Sequence, residues 1–195
     1  KAQALSRVAG ALAQAGDREG AWVATRQVLT AVEQIEDDES KAEALSWVAE
    51  ALAQAGDLEG ARGAAWHAQA AAEKIEYEAG KAEALSRVAG VLAQAGDREG
   101  ARGAARQALA AAEKIGNEDC KAGVLSGVAG ALAQVGDREG LEVFRQAMLT
   151  ARFVSRASVF YTLNRCAPLL ADLDGGKTLW QITEMIVEVD SWWNN

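Results

Sequence analysis

The feature that most constrains this chain of 195 residues is a 40-residue segment that recurs four times. Residues 41–80 and 81–120 share 29 of their 40 positions, residues 1–40 have diverged further, and residues 121–160 lose the pattern in their second half. Self-similarity with a period of about 20 to 50 residues is typical of repeat proteins, in which each unit packs on its neighbours. The sequence therefore predicts an elongated array of similar units.

Each copy contains two stretches with helical spacing. In the third copy, apolar residues from Leu85 to Ala95 recur at intervals of three and four, which predicts a helix over about residues 82–95. A second, alanine-rich stripe predicts a helix over about residues 98–115. Between them, Gly96 can adopt a left-handed conformation and Asp97 can cap the second helix. Each copy is thus predicted to be a helical hairpin.

The start of each hairpin has a polar signal of its own. Ser40 and Glu43 have the spacing of a capping box, which predicts that the first helix of the second copy begins near Ser40. An isolated hairpin of this kind leaves its apolar faces exposed, so stacking of successive hairpins is required.

The repeat resembles the tetratricopeptide repeat. Its period is 40 residues where that family has 34, and no proline ends its second helix. The resemblance implies an all-α fold, a right-handed α-solenoid of four hairpins closed by a C-terminal capping hairpin, in which Pro168 should kink or restart the first helix. The expected units are residues 1–40, 41–80, 81–120, 121–160 and 161–195. The matching positions are Leu85, Val88, Ala89, Leu92, Gly96, Asp97, Ala101, Ala105 and Ala108.

The same resemblance implies a non-enzymatic scaffold that binds a protein or peptide on the concave face lined by the first helices. Relatives that clamp a peptide carboxylate need Lys and Asn at several contact positions, which this sequence lacks, although Arg7 and Arg87 leave capacity for anionic side chains. The implied contact positions are Gln3, Ser6, Arg7, Gly10 and Gln14; Glu43, Ser46, Trp47, Glu50 and Gln54; Glu83, Ser86, Arg87, Gly90 and Gln94; and Gly123, Ser126, Gly127, Gly130 and Gln134.

The second copy departs from its siblings in a cluster of positions. Exposed aromatic residues often anchor binding partners, so the cluster is a candidate site. Drift after a recent duplication explains the same substitutions equally well. The departures are Trp47, Glu50, Leu58, Trp66, His67 and Gln69.

Net charge and hydropathy argue against nucleic-acid binding and against a membrane span. The net charge of −8 argues against general nucleic-acid binding, which relies on Lys and Arg to neutralise phosphates. No stretch approaches the ~18 apolar residues that a membrane span needs. The chain begins at Lys1 without an initiator Met or an apolar targeting segment. We therefore expect a cytoplasmic protein of which this chain is an internal part.

No motif for catalysis, a metal or a cofactor emerges. His67, the only histidine, has no nucleophile or acid placed near it by a recognisable motif. Cys120, expected in a loop between repeats, and Cys166, expected on an apolar stripe, lack metal-binding spacing. The stretch Gly176-Lys177-Thr178 lacks the earlier glycine of a phosphate-binding loop. The sequence therefore predicts no enzyme and no cofactor.

A second resemblance covers roughly the last 30 residues. The run APLLADLDGGKTLWQITEMIVEVDSWW is similar to the C-terminal ends of helical-repeat sensor regions in large bacterial signal-transduction ATPases. It implies that the chain is the sensor region of a larger bacterial signalling protein. The alternative is a structural spacer or self-assembling module, because near-identical repeats and an uncapped first helix favour end-to-end association.

Overall fold

The computed structural model describes residues 8–12 and 15–174, and all regular structure within these ranges is helical. We number the helical residues 8–12 as α1. The helices that follow are α2 (Arg18–Val32), α3 (Asp38–Ala55), α4 (Leu58–Ala72), α5 (Glu78–Gln94), α6 (Arg98–Ala112), α7 (Glu118–Gln134), α8 (Glu139–Val154) and α9 (Arg156–Asp174).

The helices are arranged in two rows. Helix α3 pairs with α4, α5 with α6, and α7 with α8, each pair forming a hairpin. Helices α3, α5, α7 and α9 also pack on one another in succession, and we call them the inner row; α2, α4, α6 and α8 form the outer row. The predicted α-solenoid of stacked helical hairpins is confirmed.

The turn inside each hairpin follows the predicted chemistry. Gly96 has a φ of 76°, in the left-handed region, and equivalent glycines have the same conformation in the other copies. Asp97 then accepts a hydrogen bond from the Gly100 amide at 2.9 Å, which caps α6. The fourth copy differs, because Asp137 accepts from the Glu139 amide at 3.1 Å and α8 begins one residue later in its repeat.

The core is made of the two predicted stripes. Val88, Ala89 and Leu92 of α5 are fully buried, as are Ala101 and Ala105 of α6. Alanines on both helices allow the backbones to approach closely, so the buried surface is continuous along the array even though each side chain is small. Stability therefore depends on contacts between neighbouring hairpins as much as on any one of them.

The predicted capping box at the start of α3 is wrong. Helix α3 begins earlier, because Asp37 has an extended backbone and its carboxylate accepts a hydrogen bond from the Ser40 amide at 2.7 Å. Ser40 therefore lies inside the first turn. Helices α5 and α7 begin at the equivalent residues, so Cys120 is in the first turn of α7 and not in a loop.

Helix α9 extends the inner row beyond the fourth hairpin. It packs on α7 and α8, and its buried Thr162 lies 3.1 Å from the hydroxyl of Ser126. Cys166 of α9 is fully buried against α7, as its position on an apolar stripe predicted. Pro168 does not divide α9, which is continuous from Arg156 to Asp174. The second helix of the predicted capping hairpin lies outside the described residues.

Candidate functional site

Ser46, Ser86 and Ser126, which are among the predicted contact positions, are buried. Ser46 donates a hydrogen bond to the Ala42 carbonyl at 2.8 Å, and Ser86 donates to the Val124 carbonyl at 3.3 Å. These hydroxyls satisfy groups within the inner row, and the second of them connects α5 to α7. These serine hydroxyls are therefore used inside the inner row and are not presented to solvent.

Most of the other predicted contact positions within the described residues are at least partly exposed on the inner row. Trp47, Glu43 and Glu50 of α3 are half-buried, whereas Gln54 and Gln94 are exposed near the C-terminal ends of α3 and α5. The positions of the first copy, Gln3, Ser6, Arg7 and Gln14, lie outside the described residues. A role of these residues in binding stays a prediction.

Arg87 is held between two carboxylates. Its guanidinium lies 3.1 Å from Glu83 Oε1 on the same helix and 3.9 Å from Glu43 Oε1 on α3. The Arg87 side chain is 24% exposed, whereas those of Glu43 and Glu83 are 41% and 70% exposed, so both ion pairs are open to solvent on the glutamate side. The arginine therefore joins two repeats, and its charge is already neutralised by residues of the chain itself.

Glu83, Ser86 and Arg87 share a pocket whose walls come entirely from inner-row helices and their caps. We call this cavity of about 310 Å³ the inner pocket. Its size is at the lower end of the range in which proteins bind small ligands or side chains of a partner. It is lined by Glu39, Tyr77, Ala79, Gly80, Glu83, Ser86, Arg87, Cys120, Gly123, Val124 and Tyr161.

Tyr77 departs from the repeat at a position where the other copies have a capping side chain. Asp37 caps α3 and Asn117 caps α7, but Tyr77 makes no side-chain hydrogen bond to the first turn of α5. Replacing a good N-cap residue by one that cannot cap destabilises a helix by about 1 kcal/mol. The tyrosine is 65% exposed, so burial of its ring does not offset this loss.

Tyr161 of α9 also lines the inner pocket. Its side chain is 53% exposed. Gly123 in the same lining leaves open space, since a Cβ atom built on it would meet nothing within 4 Å. A second hollow of about 360 Å³, which includes Asp119 and Ser158, shares Gly123 and Tyr161 with the inner pocket. The two hollows form one strip along the inner row.

Sequence reasoning missed both tyrosines. The signal for Tyr77 was present in the aligned copies, where it stands in place of Asp37 and Asn117. No such signal existed for Tyr161, because the fourth copy has diverged where α9 begins. Tyr161 lines the same pocket as Tyr77 because the inner-row helices α5, α7 and α9 stack on one another.

The departures of the second copy are divided between two faces. Trp47 and Glu50 are on inner-row helix α3, whereas Trp66 and His67 are on outer-row helix α4, with Trp66 58% exposed. A larger groove of about 690 Å³ runs between α2 and α4, and His67 contributes to its lining. The cluster does not form a single surface.

The described residues show neither metal-site chemistry nor a membrane span. They contain no group of three or more His, Cys, Asp or Glu side chains arranged to hold a metal ion. No helix among them is long and apolar enough to cross a bilayer.

The fold is similar to that of known helical-repeat structures. Two crystal structures of a kinesin light chain-like protein from Podosopora anserina, with nearly identical TPR-like repeats, align with 97% of this chain and with 92% and 93% of theirs. Their TM-scores are 0.67 and 0.66, and the sequence identity is 16% in both cases. Neither a protein-family model nor a curated protein sequence matches the chain. The likeness establishes a TPR-like helical-repeat fold.

Proposed function

We propose that this chain is a non-enzymatic scaffold that binds a protein or peptide along the inner row, with the inner pocket as the centre of the site. The observation that carries the proposal is Tyr77. The repeat position that caps a helix in the neighbouring copies makes no cap here. Instead it exposes an aromatic ring in the lining of the inner pocket. Loss of stability at a position that gains an exposed aromatic ring is typical of binding sites.

The surroundings of the pocket favour a partner with an extended backbone. All four inner-row helices contribute to the strip, so its walls are fixed by the packing of the array and do not need to form on binding. The strip also continues past Tyr161 toward Ser158, whose hydroxyl donates to Asp119 at 2.8 Å. A peptide chain can follow such a strip, whereas a compact small molecule would use only one of its hollows.

The role of the whole protein is the finer part of the proposal. The similarity of the last 30 residues to sensor regions of bacterial signal-transduction ATPases supports a sensor that reports partner binding to a neighbouring switch. The alternative function, a structural spacer or self-assembling module, requires no dedicated binding pocket. The uncapped, exposed Tyr77 favours the binding role over the spacer.

The proposal is tested by peptide selection with a matched set of variants. A display library of random dodecapeptides is selected on the immobilised chain, and the enriched peptides are titrated against Tyr77→Asn, Tyr161→Ala and Trp66→Arg. Tyr77→Asn introduces the residue that caps α7, so this variant should be more stable than the parent by about 1 kcal/mol. Trp66→Arg introduces the residue of the third copy on the outer row.

We expect the enriched peptides to bind the parent and Trp66→Arg equally, and to bind both tyrosine variants at least about fivefold more weakly. Because Tyr77→Asn is stabilised, weaker binding by this variant is not a result of unfolding. Selection of no peptide, or of peptides that bind Tyr77→Asn as tightly as the parent, would overturn the proposal.

A further inference from the structure

From the charges and rings of the inner pocket we infer that it accepts a cationic side chain, with arginine of a basic peptide segment as the best fit. This inference rests on the proposed function, because it names the chemistry of the partner at the same site.

The charged groups of the pocket leave an excess of negative charge. Glu39 and Glu83 line it together with Arg87, and Arg87 is also paired with Glu43 from outside the lining. Within the described residues, neither a hydrogen bond nor an ion pair involves the carboxylate of Glu39, which is exposed at the pocket. A cation entering the pocket meets a carboxylate without having to displace Arg87.

The two tyrosines add a surface that favours arginine among the cations. A guanidinium is attracted to the face of an aromatic ring and can stack on it while its N–H groups donate to a carboxylate. Tyr77 and Tyr161 are both more than half exposed and line the same pocket as Glu39. An arginine side chain can therefore stack on a tyrosine ring and donate hydrogen bonds to the Glu39 carboxylate at the same time. A lysine ammonium cannot stack on a ring in this way.

The opposite charge is less suited to the site. The uncapped N-terminus of α5 attracts anions through its free amides and dipole. However, Glu78 is in the first turn of this helix, and Glu39 stands at the pocket as well. Since Arg87 is already neutralised, an acidic peptide would find repulsive carboxylates and no available cation within the pocket lining.

The test uses three fluorescein-labelled dodecapeptides that differ only at three positions in a Gly/Ser background. These positions carry arginine, its neutral isostere citrulline, or glutamate. Fluorescence polarisation gives the affinity of each peptide for the full chain and for Tyr77→Asn, Glu39→Gln and Glu99→Gln. Glu99 is an exposed carboxylate in the first turn of outer-row helix α6, so Glu99→Gln changes the net charge by the same amount away from the pocket.

We expect the arginine peptide to bind at least about fivefold more tightly than the citrulline peptide. Tyr77→Asn and Glu39→Gln should each weaken it about threefold or more, and Glu99→Gln less than twofold. Equal binding of the arginine and citrulline peptides, tighter binding of the glutamate peptide, or equal losses in Glu39→Gln and Glu99→Gln would each overturn the inference. If the display selection instead yields neutral or acidic peptides that depend on Tyr77, the proposed function stands and only the cation inference fails.

Discussion

At the scale of single residues, two glycines of the third copy have opposite roles. Gly96 lies in the hairpin turn directly after α5 and has a φ of 76°. An L-residue with a side chain adopts this φ at a cost of about 1 to 2 kcal/mol. Gly103 is within α6, where the absence of a side chain only increases the flexibility of the unfolded chain. A Cβ atom at either position would meet nothing within 4 Å. Backbone conformation therefore separates the two sites without any difference in packing.

These glycines provide a paired stability prediction. Gly96→Ala should lower the free energy of unfolding by about 1 to 2 kcal/mol, because alanine is strained in the left-handed region. Gly103→Ala should raise it by about 0.5 to 1 kcal/mol, because alanine is favoured inside a helix. Urea unfolding followed by circular dichroism measures both. Shifts of the unfolding midpoint in the same direction for the two variants would contradict the proposed conformations.

At the scale of helices, the caps between repeats make stability depend on pH. The hydroxyl and amide of Ser40 bond to the Asp37 carboxylate and lower its pKa. The folded state then binds the Asp37 proton more weakly than the unfolded chain does. The stabilisation is complete above the unfolded pKa of about 4, and it is lost as the pH falls through the lower folded value. Asn117 caps α7 with an amide that does not titrate.

Asp37→Asn should therefore separate capping from titration. At pH 7 the variant should have nearly the same unfolding midpoint as the parent, because Asn and Asp are similar caps. Between pH 4 and pH 2.5 the parent should lose more stability than the variant. Urea unfolding at each pH gives the difference, in which the contributions of all other carboxylates cancel. A difference that is independent of pH would show that the Asp37 cap does not depend on its charge.

Other carboxylates with lowered pKa values connect separate helices. Glu78 of α5 accepts a hydrogen bond from Lys114, beyond the end of α6, at 2.7 Å, and this bond is the main cause of its lowered pKa. The pKa of Asp137 is lowered chiefly by the Glu139 amide, with a further contribution from Arg102 of α6 at 2.7 Å. Ion pairs of this kind set the relative orientation of hairpins more than they add to stability, since both are close to solvent.

What the sequence predicted depended on how local the determining interactions are. The stripe around Leu92 and the Gly96–Asp97 turn are set by neighbours within one hairpin, and both were predicted correctly. The start of α3 was not, because Ser40 and Asp37 are both competent caps and spacing alone does not decide between them. Glu83, Ser86, Arg87 and Gly123 of the inner pocket were among the predicted contact positions. Tyr77 and Tyr161 were not predicted, since only the stacking of inner-row helices places them in one pocket.

At the scale of the whole molecule, the two rows have different roles. The inner row is continuous from α3 to α9, so it carries the contacts that define the array and also the strip with the two tyrosines. The outer row exposes Trp22 on α2, and Leu58 and Trp66 on α4. Although the outer groove between α2 and α4 is larger, we propose the inner pocket as the site because of the missing cap at Tyr77 and the carboxylate of Glu39.

The measurement that tests this account most directly is hydrogen exchange of the full chain with and without the tightest-binding peptide from the display selection. The account predicts slower exchange in residues 77–87 and 119–124 and around Tyr161, with residues 58–72 of α4 unchanged. Protection confined to α2 and α4, with none around Tyr77, would contradict it and would place the site in the outer groove.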